Sequence, residues 1–139
     1  MKQLLKLSMI GILAGIVLLG LLKIVEIFTG SQAYVLLLNT DYIPLINDWG
    51  PEDFGGIVFH FAFCIVSVVA LFYVLKQFRL ERSILAYLVI FTGGSAILYT
   101  LTGLTERPPA IMDITAWTYW TTAHAVYSLT VGFLVKHRA

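Results

Sequence analysis

The sequence predicts an all-α fold, a four-helix transmembrane bundle with N- and C-termini in the cytoplasm, and three observations carry that prediction. First, 59% of the 139 residues are hydrophobic and 12% are charged, with a mean hydropathy of +0.88, far from the balance of a soluble domain. Second, four apolar stretches each reach the ~20 residues that a helix needs to cross a ~30 Å hydrocarbon core. Third, the cationic residues gather on one side of those stretches. The apolar runs are continuous rather than alternating, which selects helices over barrel strands, and a helix satisfies its own backbone hydrogen bonds in lipid.

The first helix runs from Leu4 to Phe28 and is preceded by Lys2 and Lys6. A cleaved leader would also place cations before an apolar run. No small-residue cleavage site follows, however, and Lys23 and Glu26 interrupt the tail, so the helix is expected to be retained. The second helix runs from Phe54 to Leu75. The third, Ile84 to Leu104, is stopped by Gly103, Pro108 and Pro109. The fourth, Ile114 to Val135, has Asp113 or Thr115 as its cap, and Trp117, Tyr119 and Trp120 mark an outer aromatic belt.

Lys76, Arg79 and Arg82 join the second and third helices, and Lys136 and Arg138 follow the fourth, so seven of the nine cationic residues share one side. The opposite loops hold Asp41, Asp48, Glu52, Asp53, Glu106 and Asp113, with Arg107 as their cation. This asymmetry predicts cytoplasmic termini. Residues 1–139 are expected to form a single integral-membrane domain, with no length left for a soluble catalytic domain and no basic field for nucleic acid. A lone cysteine, Cys64, excludes an internal disulfide and a cysteine-based zinc cluster.

The outer loop over residues 29–53 is long for so small a protein. Its run Ala33–Leu38 is too short to span, so it is expected to be re-entrant or interfacial. Anchoring at headgroup depth is the preferred reading, and a lid over the outer end of the bundle is the alternative. Pro44 and the stretch Asn47-Asp48-Trp49-Gly50-Pro51 supply turns and an interfacial tryptophan.

Four titratable residues lie inside the spans: Lys23, Glu26, His60 and His124. Such groups are costly in lipid and mark functional sites by default. At 1.5 Å per residue, Glu26 lies within ~5 Å of its helix's outer end, His60 roughly 9 Å below the start of its helix, and His124 roughly 10–15 Å below the start of its own. All four therefore belong to the outer half of the membrane and can form one polar site opening outward, with Asp113 and the outer loop as gates. Lys23 and Glu26, three apart, can also neutralise each other as a structural pair. Imidazole titrates near about pH 6.5, so His60, His124 and Glu26 suit proton or ion handling. Packing by polar side chains, a divalent metal, and haem ligated by His60 and His124 are the competing readings.

Gly11 and Gly15 form a GxxxG pattern for packing within the chain or in a homo-oligomer, and Gly93 and Gly94 are expected to let the third helix approach a neighbour closely. Ser8, Ser67, Ser95 and Ser128 have no surrounding catalytic signature and no phosphate loop is present, so no enzyme is expected.

Several of these residues resemble the YagU-like inner-membrane proteins of bacteria. Gly11-Ile-Leu-Ala14-Gly15 with Lys23-Ile-Val-Glu26 is similar to that family's small-residue helix with its Lys…Glu pair. Asp48-Trp49-Gly50 and the His60 helix also look alike. Gly103-Leu-Thr105, Pro108-Pro109, Asp113 and His124 resemble the family's G-L-T-P-P…D…H stretch, with Glu106-Arg107 inserted here. The resemblance implies a multi-pass protein of the bacterial inner membrane, linked in some members to acid tolerance, without a catalytic mechanism. The expected function is proton or small-ion sensing or conduction through Lys23, Glu26, His60 and His124 in acid or envelope stress. The alternatives are a non-catalytic accessory protein that contacts a membrane partner, and a bis-histidine haem or metal protein.

Overall fold

The computed structural model describes residues 1–46 and 54–139. Among those residues it contains five α-helices and no strand. The expectations that fall on Asn47, Asp48, Trp49, Gly50, Pro51, Glu52 and Asp53 lie outside the described residues.

Helix α1 spans Lys2–Thr29, its 28 residues reaching about 42 Å at 1.5 Å per residue. It ends at Gly30, whose φ of 71° is left-handed and whose N–H donates to the Glu26 carbonyl at 2.8 Å. Only glycine takes that conformation without strain. A short helix, α2, follows over Ala33–Leu38. Helix α3 spans Phe54–Gln77. Its end is closed by the Leu80 N–H on the Leu75 carbonyl at 2.9 Å and the Arg79 N–H on the Lys76 carbonyl at 3.2 Å. This is a left-handed cap in which Arg79, with φ of 59°, holds the position glycine usually takes.

Helix α4 covers Ile84–Leu98 and continues as a tighter 3₁₀ segment, Tyr99–Leu104. The Ser83 hydroxyl caps its start by accepting from the Ala86 N–H at 3.3 Å. Helix α5 spans Ile114–Arg138. Of its two expected caps the structure uses Asp113, whose Oδ1 accepts from the Ala116 N–H at 2.9 Å.

Helix α1, helix α3 and the segment Ile84–Leu104 are long and apolar enough to cross a membrane. The 25-residue α5 is as long as α3 but interleaves Thr115, Thr118, Thr121, Thr122 and Ser128 with its apolar residues. Length supports a fourth crossing there, and hydropathy does not.

The helices stand side by side in the order α3, α1, α5, α4, since α1 packs on α3 and α5, and α5 packs on α4. Among the described residues α3 and α4, although consecutive in the chain, hardly touch. The core follows this row. Leu7, Ile10, Ala14, Leu18 and Leu22 are buried along α1, and Ala116, Trp120, Ala123, Tyr127, Val131 and Val135 along α5. Their spacing of three and four residues keeps each set on one helical face.

Glycine decides how close two of these seams become. A Cβ on Gly11 would lie 2.8 Å from Ile65 Cα, and one on Gly15 would lie 3.2 Å from Cys64 Sγ. The GxxxG pair therefore packs α1 onto α3 within the chain. Gly132 does the same between α5 and α4, where a Cβ would lie 3.1 Å from Ile84 Cα. The expectation for Gly93 and Gly94 needs correcting. No atom of another helix lies within 4 Å of where their Cβ atoms would be, so within the chain neither glycine brings α4 close to a neighbour.

Candidate functional site

Helix α3 buries Gly56, His60, Cys64, Val68 and Phe72, four residues apart, and this stripe faces α1. His60 is 4% exposed, and its Nε2–H donates to the Gly15 carbonyl at 3.0 Å. A side chain at Gly15 would press on Cys64 Sγ and the Phe61 ring, each 3.2 Å from a would-be Cβ, so the glycine keeps α1 close to α3 beside this hydrogen bond. Cys64 Sγ lies 3.9 Å from both ring nitrogens.

His124 approaches from α5. Its Nδ1–H donates to the Trp120 carbonyl one turn earlier at 2.8 Å, and its ring lies against the Trp120 indole, tilted by 43° with centroids 4.2 Å apart. The indole N–H donates in turn to the Ser95 carbonyl of α4 at 2.8 Å. The orientation of His124 is thus held by two neighbouring helices.

Both histidines line one cavity of about 420 Å³, within the range of small-molecule sites. The cavity occupies the gap that α3 and α4 leave between them. Phe59, Phe63 and Ser67 line it from α3, and Ile90, Phe91, Gly94 and Leu98 from α4. Phe63 is 52% exposed and Ile90 44%, so the gap leads sideways out of the bundle. Tyr127 completes the wall from α5. Its hydroxyl sits beside Cys64 and Ser67 but makes no hydrogen bond of good geometry.

One end of the cavity is closed by the segment over residues 33–43. Ala33, Leu36, Leu37, Leu38, Asn39 and Thr40 are all buried, and Leu36, Leu37, Tyr42 and Ile43 line the cavity. The segment is therefore packed onto the bundle over the cavity, in the position of a lid, and not spread at its periphery as the preferred reading of the sequence has it. Burial pushes the Tyr42 phenol above its ordinary titration range, so it stays protonated.

A polar cluster ties this cover to the second outer loop. Arg107 Nε pairs with Asp41 Oδ2 at 2.9 Å, the Thr105 hydroxyl donates to the same oxygen at 2.9 Å, and the Asn39 amide donates to the Thr105 hydroxyl at 3.3 Å. The sequence carried one signal for it: Arg107 is the lone cation among the acidic residues of the outer loops.

Other residues expected in the site lie elsewhere. Lys23 and Glu26 form an ion pair along α1, with the Lys23 ammonium 4.6 Å from the centre of the Tyr34 ring, and neither lines the cavity. Asp113 serves as the α5 cap, and its carbonyl accepts from the Tyr99 hydroxyl at 3.1 Å. Among the described residues no group of three His, Cys, Asp or Glu side chains is placed to hold a metal ion. The apolar and aromatic lining of the cavity suits recognition by shape, aromatic contact and hydrogen bonding. No protein-family model matches the chain, nor does any curated protein or solved structure.

Proposed function

We propose that the chain is a four-pass membrane protein that binds a small, mainly apolar molecule in the cavity between α3 and α4. The observation that carries this reading is the pairing of an apolar cavity of about 420 Å³ with both intramembrane histidines at a gap open to the side. Apolar walls with a few convergent polar groups are the usual make-up of a ligand site. Helix α5 is read as the fourth crossing because it packs along α1 and α4. The charge asymmetry of the loops and the YagU-like resemblance support a bacterial inner membrane with both termini in the cytoplasm.

The test is saturable quenching of Trp120 fluorescence by a brominated benzene, in nanodiscs, with Trp49 and Trp117 replaced by Phe. Saturation that Ser67→Phe abolishes by filling the cavity supports the reading. Quenching that never saturates and ignores Ser67→Phe overturns it.

A second reading, proton or small-ion sensing in acid or envelope stress, is favoured by the two imidazoles sharing one cavity. It predicts pH-dependent flux in proteoliposomes that His60→Ala with His124→Ala removes. Haem ligation is less well supported, because the His60 Nε2–H is spent on the Gly15 carbonyl. A partner bound through Gly11 and Gly15 is also less well supported, because both face α3.

A further inference from the structure

The hydrogen bonds around the cavity specify what its occupant must offer. A carbonyl oxygen only accepts, so the ring nitrogen facing it carries the proton. His124 spends Nδ1–H on the Trp120 carbonyl and His60 spends Nε2–H on the Gly15 carbonyl. In their neutral forms both rings then keep a lone pair on the remaining nitrogen. The lone pair of His60, Nδ1, has the Cys64 thiol at 3.9 Å as a weak donor. The ring of His124 makes its hydrogen bond at Nδ1, so Nε2 keeps its lone pair beside the cavity that the residue lines. One turn further along α5, with its ring centroid 6.3 Å from that of His124, Tyr127 has a buried hydroxyl that sits beside Cys64 and Ser67 and makes no well-formed hydrogen bond. One acceptor and one hydroxyl left in an apolar cavity call for a group that both donates and accepts.

From this we infer that the cavity takes a lipid-soluble phenol, a hydroxyl-bearing aromatic ring with an apolar tail. This inference rests on the proposed ligand site and names its occupant. The occupant's hydroxyl donates to His124 Nε2 and accepts from the Tyr127 hydroxyl. Its ring lies among Phe59, Phe63, Phe91 and Trp120, whose faces and edges favour an aromatic body. Its tail leaves through the gap past Phe63, Ile90 and Leu98, which are exposed on the flanks of α3 and α4. Leu36 and Leu37 close one end, so entry is from the side. A carboxylate or a phosphate does not suit the site, since no Lys or Arg lines it.

The experiment compares 4-decylphenol with its methyl ether, 4-decylanisole, as competitors of the brominated benzene at Trp120, each scaled to its mole fraction in the nanodisc. The ether keeps the oxygen and replaces the hydroxyl proton with a methyl group, so it can accept a hydrogen bond and cannot donate one. The phenol is expected to displace the probe at about tenfold lower mole fraction, the effect of one buried hydrogen bond. His124→Phe should bring the two competitors level, while His124→Gln, which restores an acceptor, should return part of the preference. Equal displacement by phenol and ether in the native chain overturns the phenol inference and leaves the cavity reading standing. Failure of the brominated probe itself to bind saturably overturns the cavity reading and the inference with it.

Discussion

Helix α3 has two flanks, and they are built on opposite principles. Against α1 it is seated so closely that a Cβ at Gly11 would lie 2.8 Å from Ile65 Cα. Toward α4 it stands away, leaving a cavity of about 420 Å³ where Gly94 has no atom within 4 Å of a would-be Cβ. Both flanks contain glycines, so small residues alone do not make a tight seam. What differs is the polar fastening: His60 bonds the α1 backbone at Gly15, whereas the polar groups of α4 bond to α5, through Trp120 to Ser95 and through Thr92 to Ser128 at 3.3 Å. Lipid tails are as apolar as leucine, so seams inside a membrane form where close packing and hydrogen bonds coincide.

The largest expected effect comes from breaking the tight flank. Gly11→Leu should cost about 3 kcal/mol or more by forcing α1 off α3, read as loss of the folded fraction in detergent unfolding. Gly94→Ala, on the open flank, should stay within about 0.5 kcal/mol of the native chain. Equal losses at the two positions would erase the contrast.

Next comes the cover over the open flank. Asp41→Ala removes the acceptor shared by Arg107 and Thr105 and should cost about 1 kcal/mol. Hydrogen exchange should report faster opening of α2 amides with α5 unchanged. If both elements loosen alike, the cluster supports the whole bundle and not its cover.

Asp113→Ala should cost about 1 kcal/mol through the lost α5 cap. Asp113→Ser, which keeps an accepting oxygen, should recover most of it. If Asp113 were a gate of the histidine site, probe binding at Trp120 would change as well, and the capping role predicts that it does not.

The smallest effect lies at the turn between α3 and α4. Arg79 holds a left-handed φ of 59°, so Arg79→Gly should raise stability by up to about 1 kcal/mol, measured as a shift in the unfolding midpoint. That turn lies away from the cavity, so probe binding should not change. A loss of stability would mean that the Arg79 side chain contributes more than its backbone costs.

Much of the local structure was legible. The stretches Leu4 to Phe28, Phe54 to Leu75, Ile84 to Leu104 and Ile114 to Val135 end within about three residues of the observed helices, because continuous apolar runs bounded by Pro, Gly and charges leave little choice. The capping role of Asp113 was legible too, as a carboxylate one residue before a helix. The grouping of the polar residues was not. Depth along the helices placed Lys23, Glu26, His60 and His124 at one level, and level says nothing about rotation. The two histidines turn into one cavity, while Lys23 and Glu26 turn along α1 toward Tyr34. The cluster of Asn39, Asp41, Thr105 and Arg107 joins residues more than sixty positions apart, with no local pattern to announce it.

The order of residues was enough to show that this chain is helical and where its long helices begin and end; it read all four as spans, of which three prove long and apolar enough to cross a membrane. Those properties come from summed apolarity and from backbone hydrogen bonds closed within each segment. Only the tertiary structure decided that α1 and α5 stand between α3 and α4, that a cavity fills the gap, and that α2 closes it. In a soluble helix the polar face reveals the side turned outward. Helices that are apolar on every side carry no such mark, so their neighbours are chosen by the fit of Gly11, Gly15 and Gly132 and by a few buried hydrogen bonds.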